Sequence, residues 1–479
     1  MRVLFLYSVG HAASQDRPLE TMDQIQSGIA YISALLKQHG HQTDLLVVSH
    51  HGTKHNAHIV RRRVAAFRPD IVGFYAVATE FAYVLSVARF IRSIAPKCYL
   101  LIGGPHVTLC PEEAMAGPFD AVCIGEGESP SLELVTQVDQ GQTPSNIPNL
   151  WLRRGSEVQK NPTRPFLQDL DALPYPDRAP WLKYMQYPVS RPSLLLGRGC
   201  PFECTYCSNH ALKKVASGRY ARMRSAASII AEIVDLTSWY RYTEPPEIYF
   251  EVETFAVDLD WTLEVCRRLK ELNGRLAEPL RYGVNLRVFH NLQTERLFAA
   301  MAEANFAFVN IGLEAGSERV RREVLQRNYS NNDIIRTVMA ARRHGLRVNF
   351  FNMIGLPGET REEHLETVGM NRLCQPDKHY TGIFFPYPGT DLYQRCKEMG
   401  LPVDRLDASK ERRRAVLSYE GFSAREIQRA LRWFNYRVYR GHKPLAGLLL
   451  RLGLLPLVED LPWLKKPLSA LAKLRLRAG

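Results

Sequence analysis

Residues 197–210 read GRGCPFECTYCSNH. Cys200, Cys204 and Cys207 form a C-x3-C-x2-C run on a glycine-flanked loop that follows the apolar stretch SLLLG. Three thiolates within eight residues can all be pointed inward by one loop, so they can hold a metal centre. Iron–sulfur clusters as a rule take four cysteines; three leave one iron open to a small molecule. His210, three residues past Cys207, offers a second reading as the fourth ligand of a Cys3His zinc site. The run alone leaves both readings open, and its surroundings must decide.

Downstream of the loop a β/α series begins. Strand patterns at EIYFEVE, RYGVNLR, FVNIGLE, VNFFNMIG and TGIFFPY alternate with helix patterns near 258–273, 294–304, 331–344 and 361–373. With the strand before Cys200 this makes six strands, enough for a partial β/α barrel and not for a closed eightfold one. A zinc knuckle has no need of such an array. The cysteine run, with aromatic Tyr206 before its last cysteine, resembles the signature of the radical S-adenosylmethionine (SAM) enzymes.

That resemblance implies a [4Fe–4S] cluster on Cys200, Cys204 and Cys207, with SAM's amino and carboxylate groups on the open iron. It further implies one-electron cleavage of SAM to a 5′-deoxyadenosyl radical, chemistry that a cofactor must supply. No acid–base pair is then obligatory. In β/α barrels functional groups sit at the carboxyl ends of strands. This nominates Glu251 and Glu253 (Glu253 for SAM's amino group), Asn285 and Arg287 for ribose and carboxylate, Glu314, and Asn352 within strand five. The turn GLPGET, with Gly355 and Pro357, resembles the family's adenine-side wall, and Tyr206 joins the SAM contacts. The bland reading of each is a helix cap or a solvated carboxylate.

Residues 1–140 alternate strands and helices in the manner of a doubly wound parallel sheet. Ligands of such sheets sit at the carboxyl ends of strands, where Gly73, Gly103-Gly104-Pro105-His106 and Gly125-Glu126-Gly127-Glu128 collect. Each glycine pair alone reads as turn chemistry. Together, GGPHVTLCPEE and DAVCIGEGE resemble the flavodoxin-like cobalamin-binding domains found ahead of many radical SAM barrels. The resemblance implies cobalamin contacts from Thr79, Gly103, Gly104, His106, Gly125, Glu126, Gly127 and Glu128. The D-x-H-x-x-G motif of the methionine-synthase type is missing, because the loop YSVGHAASQDRP holds only His11, at the wrong spacing. Cobalt would therefore have no histidine from the usual place.

Residues 141–185 gather prolines and read as an extended connector with a small strand pair, NLWLRR and EVQKN. The barrel is expected over 186–400, and a basic, mainly helical region over 401–479. That last region holds 17 Lys/Arg against 7 Asp/Glu, most of the chain's net charge of +13. The larger parts are near neutral, which argues against nucleic-acid binding. Ser423 and Glu426 form a capping box, and leucines alternate with basic residues over 445–479. Such a segment can lie on an anionic membrane surface or cap the barrel. The N-terminus reads as a strand and not a signal peptide, and no stretch is long and apolar enough for a membrane span. Nine cysteines, six of them scattered, point to a reducing cytoplasm.

The expected protein is an α/β enzyme with a cobalamin domain, a partial (β/α)6 radical SAM barrel and a helical end. It should take an electron from a flavodoxin- or ferredoxin-type donor and methylate an unactivated carbon of a small molecule or peptide. A cobalamin-dependent cyclase or rearrangement enzyme is the alternative within the family. A non-enzymatic iron–sulfur or zinc redox module is the alternative outside it.

Overall fold

The computed structural model describes residues 1–10, 18–19, 25–49, 53–185, 192–239 and 247–443. His11 with its loop, and the basic stretch 445–479, lie outside the described residues.

The apolar runs of the first domain form β1 (Arg2–Val9), β2 (Gln42–Ser49), β3 (Ile71–Tyr75), β4 (Tyr99–Gly103) and β5 (Ala121–Cys123). They pair in parallel in the order β2-β1-β3-β4-β5. Helices α1 (Ser27–Gln38), α2 (Thr53–Phe67), α3 (Phe81–Ile94), α4 (Pro105–Leu109), α5 (Pro111–Met115) and α6 (Glu128–Asp139) complete the alternation. Apolar material covers both faces, so alternate residues of β1 serve opposite cores: Leu4 and Leu6 one, Val3 and Phe5 the other. Helix α3 buries Phe81, Val84, Ala88 and Ile91, one face at helical spacing. Strand order reverses between β1 and β3, and a crevice opens at their carboxyl ends.

The strand pair expected in the connector is present as β6 (Leu150–Arg154) and β7 (Glu157–Lys160), but it does not stand free. β6 pairs antiparallel with β5 and extends the first sheet to seven strands. The edge of β5 offers unpaired backbone groups, and the nearest extended segment satisfies them.

β8 (Ser193–Leu195) opens the second sheet. A short antiparallel ladder of β9 (Gly197–Arg198) and β10 (Arg222–Met223) then brackets the cysteine loop and α7 (Ser208–Leu212). After α8 (Ala226–Trp239) come β11 (Glu247–Glu251), α9 (Leu259–Asn273), β12 (Arg281–Leu286), α10 (Thr294–Glu303) and β13 (Phe306–Glu314). The series ends with α11 (Asn331–Arg343), β14 (Arg347–Ile354), α12 (Arg361–Cys374) and β15 (Lys378–Ile383). The six strands pair in parallel in the order β15-β14-β13-β12-β11-β8, the open barrel expected. The last strand lies earlier than TGIFFPY suggested, and Phe384–Tyr387 run past its end.

α13 (Asp391–Glu398) and α14 (Ala424–Tyr439) follow, the latter opened by the Ser423–Glu426 capping box. One apolar core runs from Val3 and Phe5 through Trp181 to the helix-covered face of the second sheet, so the two sheets share a core. Among the described residues no helix is long and apolar enough to cross a membrane.

Candidate active site

The chain leaves β9 through Gly199, whose φ of +78° turns it into the cysteine loop. Cys204 is buried, while Cys200 and Cys207 are half-buried, and all three thiols are free. Thr205 fixes the loop from below: its Oγ1 donates to Val324 O (2.6 Å), and its carbonyl accepts from Leu392 N–H (3.0 Å). Burial pushes the Cys207 thiol up to about 12 and raises Cys200, and the neighbouring thiols and Glu253 push both further. Crowded acidic groups of this kind are relieved by a cationic centre.

The zinc reading fails on spacing. Among the described residues the only three His, Cys, Asp or Glu ligand atoms lying within 4.8 Å of one another belong to His106, Cys110 and Glu113. The three loop sulfurs and His210 thus stand wider than one tetrahedral zinc, which gathers thiolates to ~3.8 Å, requires. His210 turns instead to Asp391, Nε2 to Oδ2 at 3.1 Å.

The strand-end residues divide into groups. Glu253 is exposed into a cavity between the sheets and interacts with Cys200 and Cys207. Glu251 points elsewhere, into a small recess with Tyr31, Arg178 and Ser193. Arg287 lies over the Phe202 ring at 3.8 Å and places Nη1 2.5 Å from Cys204 Sγ, while its buried Nε has no partner. Glu314, at φ +60°, accepts from Tyr206 OH (3.0 Å) and Arg327 Nη1 (2.8 Å). Arg327 also donates to Tyr206 OH at 2.8 Å, so Tyr206 is anchored beside the loop, and burial raises its phenol.

Asn285 belongs to a row of amides inside the barrel. It accepts from Tyr249 OH (2.8 Å) and Asn310 Nδ2 (3.0 Å), and Asn310 accepts from Asn349 Nδ2 (2.9 Å). Asn352 faces outward and bonds Asn371 of α12, because alternation along β14 puts it on the helix side. Gly355 and buried Pro357 do not line the cavity. The Gly355 and Leu356 N–H groups are taken by Glu359 Oε2 at 2.7 and 3.1 Å.

The cavity measures about 340 Å³. Its first-domain wall includes Gly73, Tyr75, Gly103, Gly104, Thr108, Cys123 and Gly125–Glu128; its barrel wall includes Leu195, Gly197–Gly199, Tyr220, Arg222 and Glu253. Gly104 is held at φ +115°, and a Cβ there would stand 2.5 Å from Ala76 O. Thr79 and His106 lie outside the lining. The His106 Nε2 pairs with Glu113 at 3.1 Å and its ring packs on Phe81. Glu126 and Glu128 line the cavity, but their carboxylates are engaged by Arg198 and Arg222. No histidine is among the described lining residues.

Sequence reasoning passed over Arg198, Arg222, Tyr220 and Arg327. Arg198 sits inside GRGC, and the acidic pair of GEGE was the signal that it needed a partner.

Two family models match the chain: the B12 binding domain over residues 21–135 and the Radical SAM superfamily over 194–370. An uncharacterized methyltransferase of Pyrococcus horikoshii is 27% identical over 409 residues, 85% of each chain. The anaerobic magnesium-protoporphyrin IX monomethyl ester cyclase of Rubrivivax gelatinosus is 27% identical over 423 residues, 86% of this chain and 72% of that one. The chain belongs to the cobalamin-dependent radical SAM enzymes. Among solved structures, the methyltransferase TsrM of Kitasatospora setae, with cobalamin and a [4Fe–4S] cluster bound, shares the fold. Its TM-score is 0.66 at 16% identity, with 83% of this chain and 78% of that one covered.

The enzyme's cofactors are therefore a [4Fe–4S] cluster, SAM and cobalamin. Enzymes of this family take an electron from a reductant and act on small substrates. The residues present fit the cofactors. Three free thiols share one loop, the buried Arg287 Nε is unpartnered beside it, and a glycine-lined cavity joins the loop to the first sheet.

Proposed function

We propose that the enzyme is a methyltransferase acting on an unactivated carbon of a small molecule or peptide. It is divided into a cobalamin domain (1–140), a connector (141–185), a radical SAM barrel (186–400) and a basic helical region (401–479). Bound in this chain, the three cofactors supply one-electron cleavage of SAM, hydrogen-atom abstraction and delivery of a methyl group, none of which side chains can perform. The observation that carries the reading is the single cavity whose walls are the glycines of the first sheet and the residues flanking the cysteine loop.

In this reading Cys200, Cys204 and Cys207 would hold the cluster through three thiolates, with no fourth protein ligand among the described residues to compete with SAM. Glu253, exposed into the cavity, accepts from SAM's amino group. The Tyr206–Glu314–Arg327 set holds the last turn of the loop still. Arg287 screens the Cys204 sulfur. Gly103, Gly104, Gly125 and Gly127 let the backbone approach the corrin ring. A flavodoxin- or ferredoxin-type donor supplies the electron.

The cyclase reading is favoured by the Rubrivivax relative and by a second cyclase of the same name from Cereibacter sphaeroides. Anaerobically reconstituted enzyme given reductant, small-molecule extract and SAM labelled in its methyl group separates the two. S-adenosylhomocysteine together with 5′-deoxyadenosine, and label in a product, are expected. 5′-Deoxyadenosine alone, with no label transferred, refutes methyl transfer and favours cyclisation.

A further inference from the structure

The acidic pair of GEGE and the arginine of GRGC come from separate domains of the chain and meet at the cavity's edge. Arg198 Nη1 lies 3.1 Å from Glu126 Oε1, and Arg198 Nη2 lies 2.5 Å from Glu128 Oε1. Arg222 Nη1 reaches both Glu126 oxygens at 3.0 and 3.1 Å, and Leu167 N–H donates to Glu126 Oε2 at 2.8 Å. The side chains of Arg222 and Glu128 are 4% and 6% exposed, and those of Arg198 and Glu126 are 16% and 20% exposed.

Charges this deep are not the economical way to hold two domains together, because apolar residues of similar size stabilise as well or better. The interface already has an apolar core running from the first sheet into the second. Apolar contacts are non-directional. A guanidinium fork on two carboxylates fixes angle and register. Arg198 precedes Gly199 and Cys200, and Glu126 and Glu128 flank Gly127 in the opposite cavity wall.

We propose that Glu126, Glu128, Arg198 and Arg222 form an interdomain latch that sets the separation of the cobalamin and iron–sulfur sites. They are positioning residues, and the proposal rests on the cofactor assignment above. The latch fixes where the methyl donor stands relative to the radical source, and it does so without supplying a ligand to either metal.

Cobalt(II) cobalamin and the reduced cluster are both paramagnetic, so pulsed dipolar EPR on the loaded enzyme reads their separation without any substrate. The native enzyme is expected to give one narrow distance. Arg198→Lys keeps the charge but loses the fork, and Glu128→Gln keeps size but loses charge. Each is expected to broaden the distribution or add a second distance while iron and cobalamin per chain stay native. Hydrogen exchange on the cofactor-free chain is the second measurement, with protection falling together over 124–131 and 197–200 and unchanged in α11. Native distance distributions in both variants overturn the latch, as does loss of cobalamin from folded Arg198→Lys, which would make the arginine a binding residue. A native chain that loads neither cofactor refutes the assignment beneath it, and is told apart because no distance is then measurable in any form.

Discussion

Gly199→Ala tests whether the cysteine loop depends on a close backbone approach. The added methyl group would lie 2.3 Å from Tyr220 O and 2.8 Å from Tyr220 C, at a φ of +78°. Holding alanine in the left-handed region costs ~1–2 kcal/mol. A carbon–oxygen contact settles no closer than ~3.3 Å, so the loop and the Tyr220 backbone must part by ~1 Å. Overpacking against backbone adds ~1–3 kcal/mol, because neither partner has a rotamer to change. Gly345 supplies the control: it too stands at φ +78°, and a methyl group added there would meet nothing within 4 Å. Gly345→Ala therefore carries the backbone cost alone, and the difference between the variants is the clash.

Urea denaturation of the cofactor-free chains and iron per chain after anaerobic reconstitution are the assays. Gly345→Ala should lose ~1–2 kcal/mol and keep its iron. Gly199→Ala should lose ~1–3 kcal/mol more and retain little iron, because Cys200 is its next neighbour. Equal destabilisation with full iron in both would refute the argument from close approach.

Cys204→Ala should abolish the reduced-cluster EPR signal while His210→Ala preserves it, since His210 is committed to Asp391; equal loss of iron in both would make His210 a fourth cluster ligand and refute the open iron, whereas zinc in place of iron in the native chain would restore the zinc reading. His364 has both ring nitrogens buried without partners, between Phe422 and Phe434, and burial lowers it to about 4. The unfolded chain takes that proton near 6.5 and the folded chain does not, so stability should fall as pH drops from 6.5 towards 4. His364→Phe should flatten that limb when urea midpoints are compared at neutral and mildly acidic pH. Glu359 shows the opposite sign: burial holds it up at about 8, so the folded chain keeps a proton the unfolded chain releases near 4.5. Stability from this group should decline as pH rises through 4.5 to 8. Glu359→Gln, which still accepts from the Gly355 and Leu356 N–H groups, should remove the decline.

The sequence was informative wherever one element carried its own signal. The six parallel strands, the doubly wound order, the capping box at Ser423 and the cysteine loop all follow from local pattern and spacing. What it did not carry were relations between distant segments. Strand β6 reads as a free hairpin because nothing local says that the edge of β5 is vacant. Asn352 reads as a barrel-lining amide until the alternation along β14 is fixed by its neighbours, which turns it towards Asn371. Glu126 and Glu128 read as ligand contacts because their arginine partner lies about seventy residues on.

The meeting of the two sites follows from where the barrel is left open. A six-stranded parallel sheet has two edges, here β8 and β15, and each must be covered. At β15 the Ile383 N–H donates to Arg412 O at 3.0 Å, and His379 stacks on Tyr439 of α14 at 5.3 Å. At β8 the cover comes from the connector. Trp181 is fully buried, and Arg178 joins Glu232, itself wholly buried and also held by Arg224. The connector thus holds the first sheet against the β8 edge. The cysteine loop follows β8 across the short β9, whose Gly197 and Arg198 line the cavity together with Tyr75 and Gly103 at the carboxyl ends of the first sheet. Placed after the edge strand, the cysteine run starts beside the cavity shared with the first domain, whose wall Gly197, Arg198 and Gly199 line.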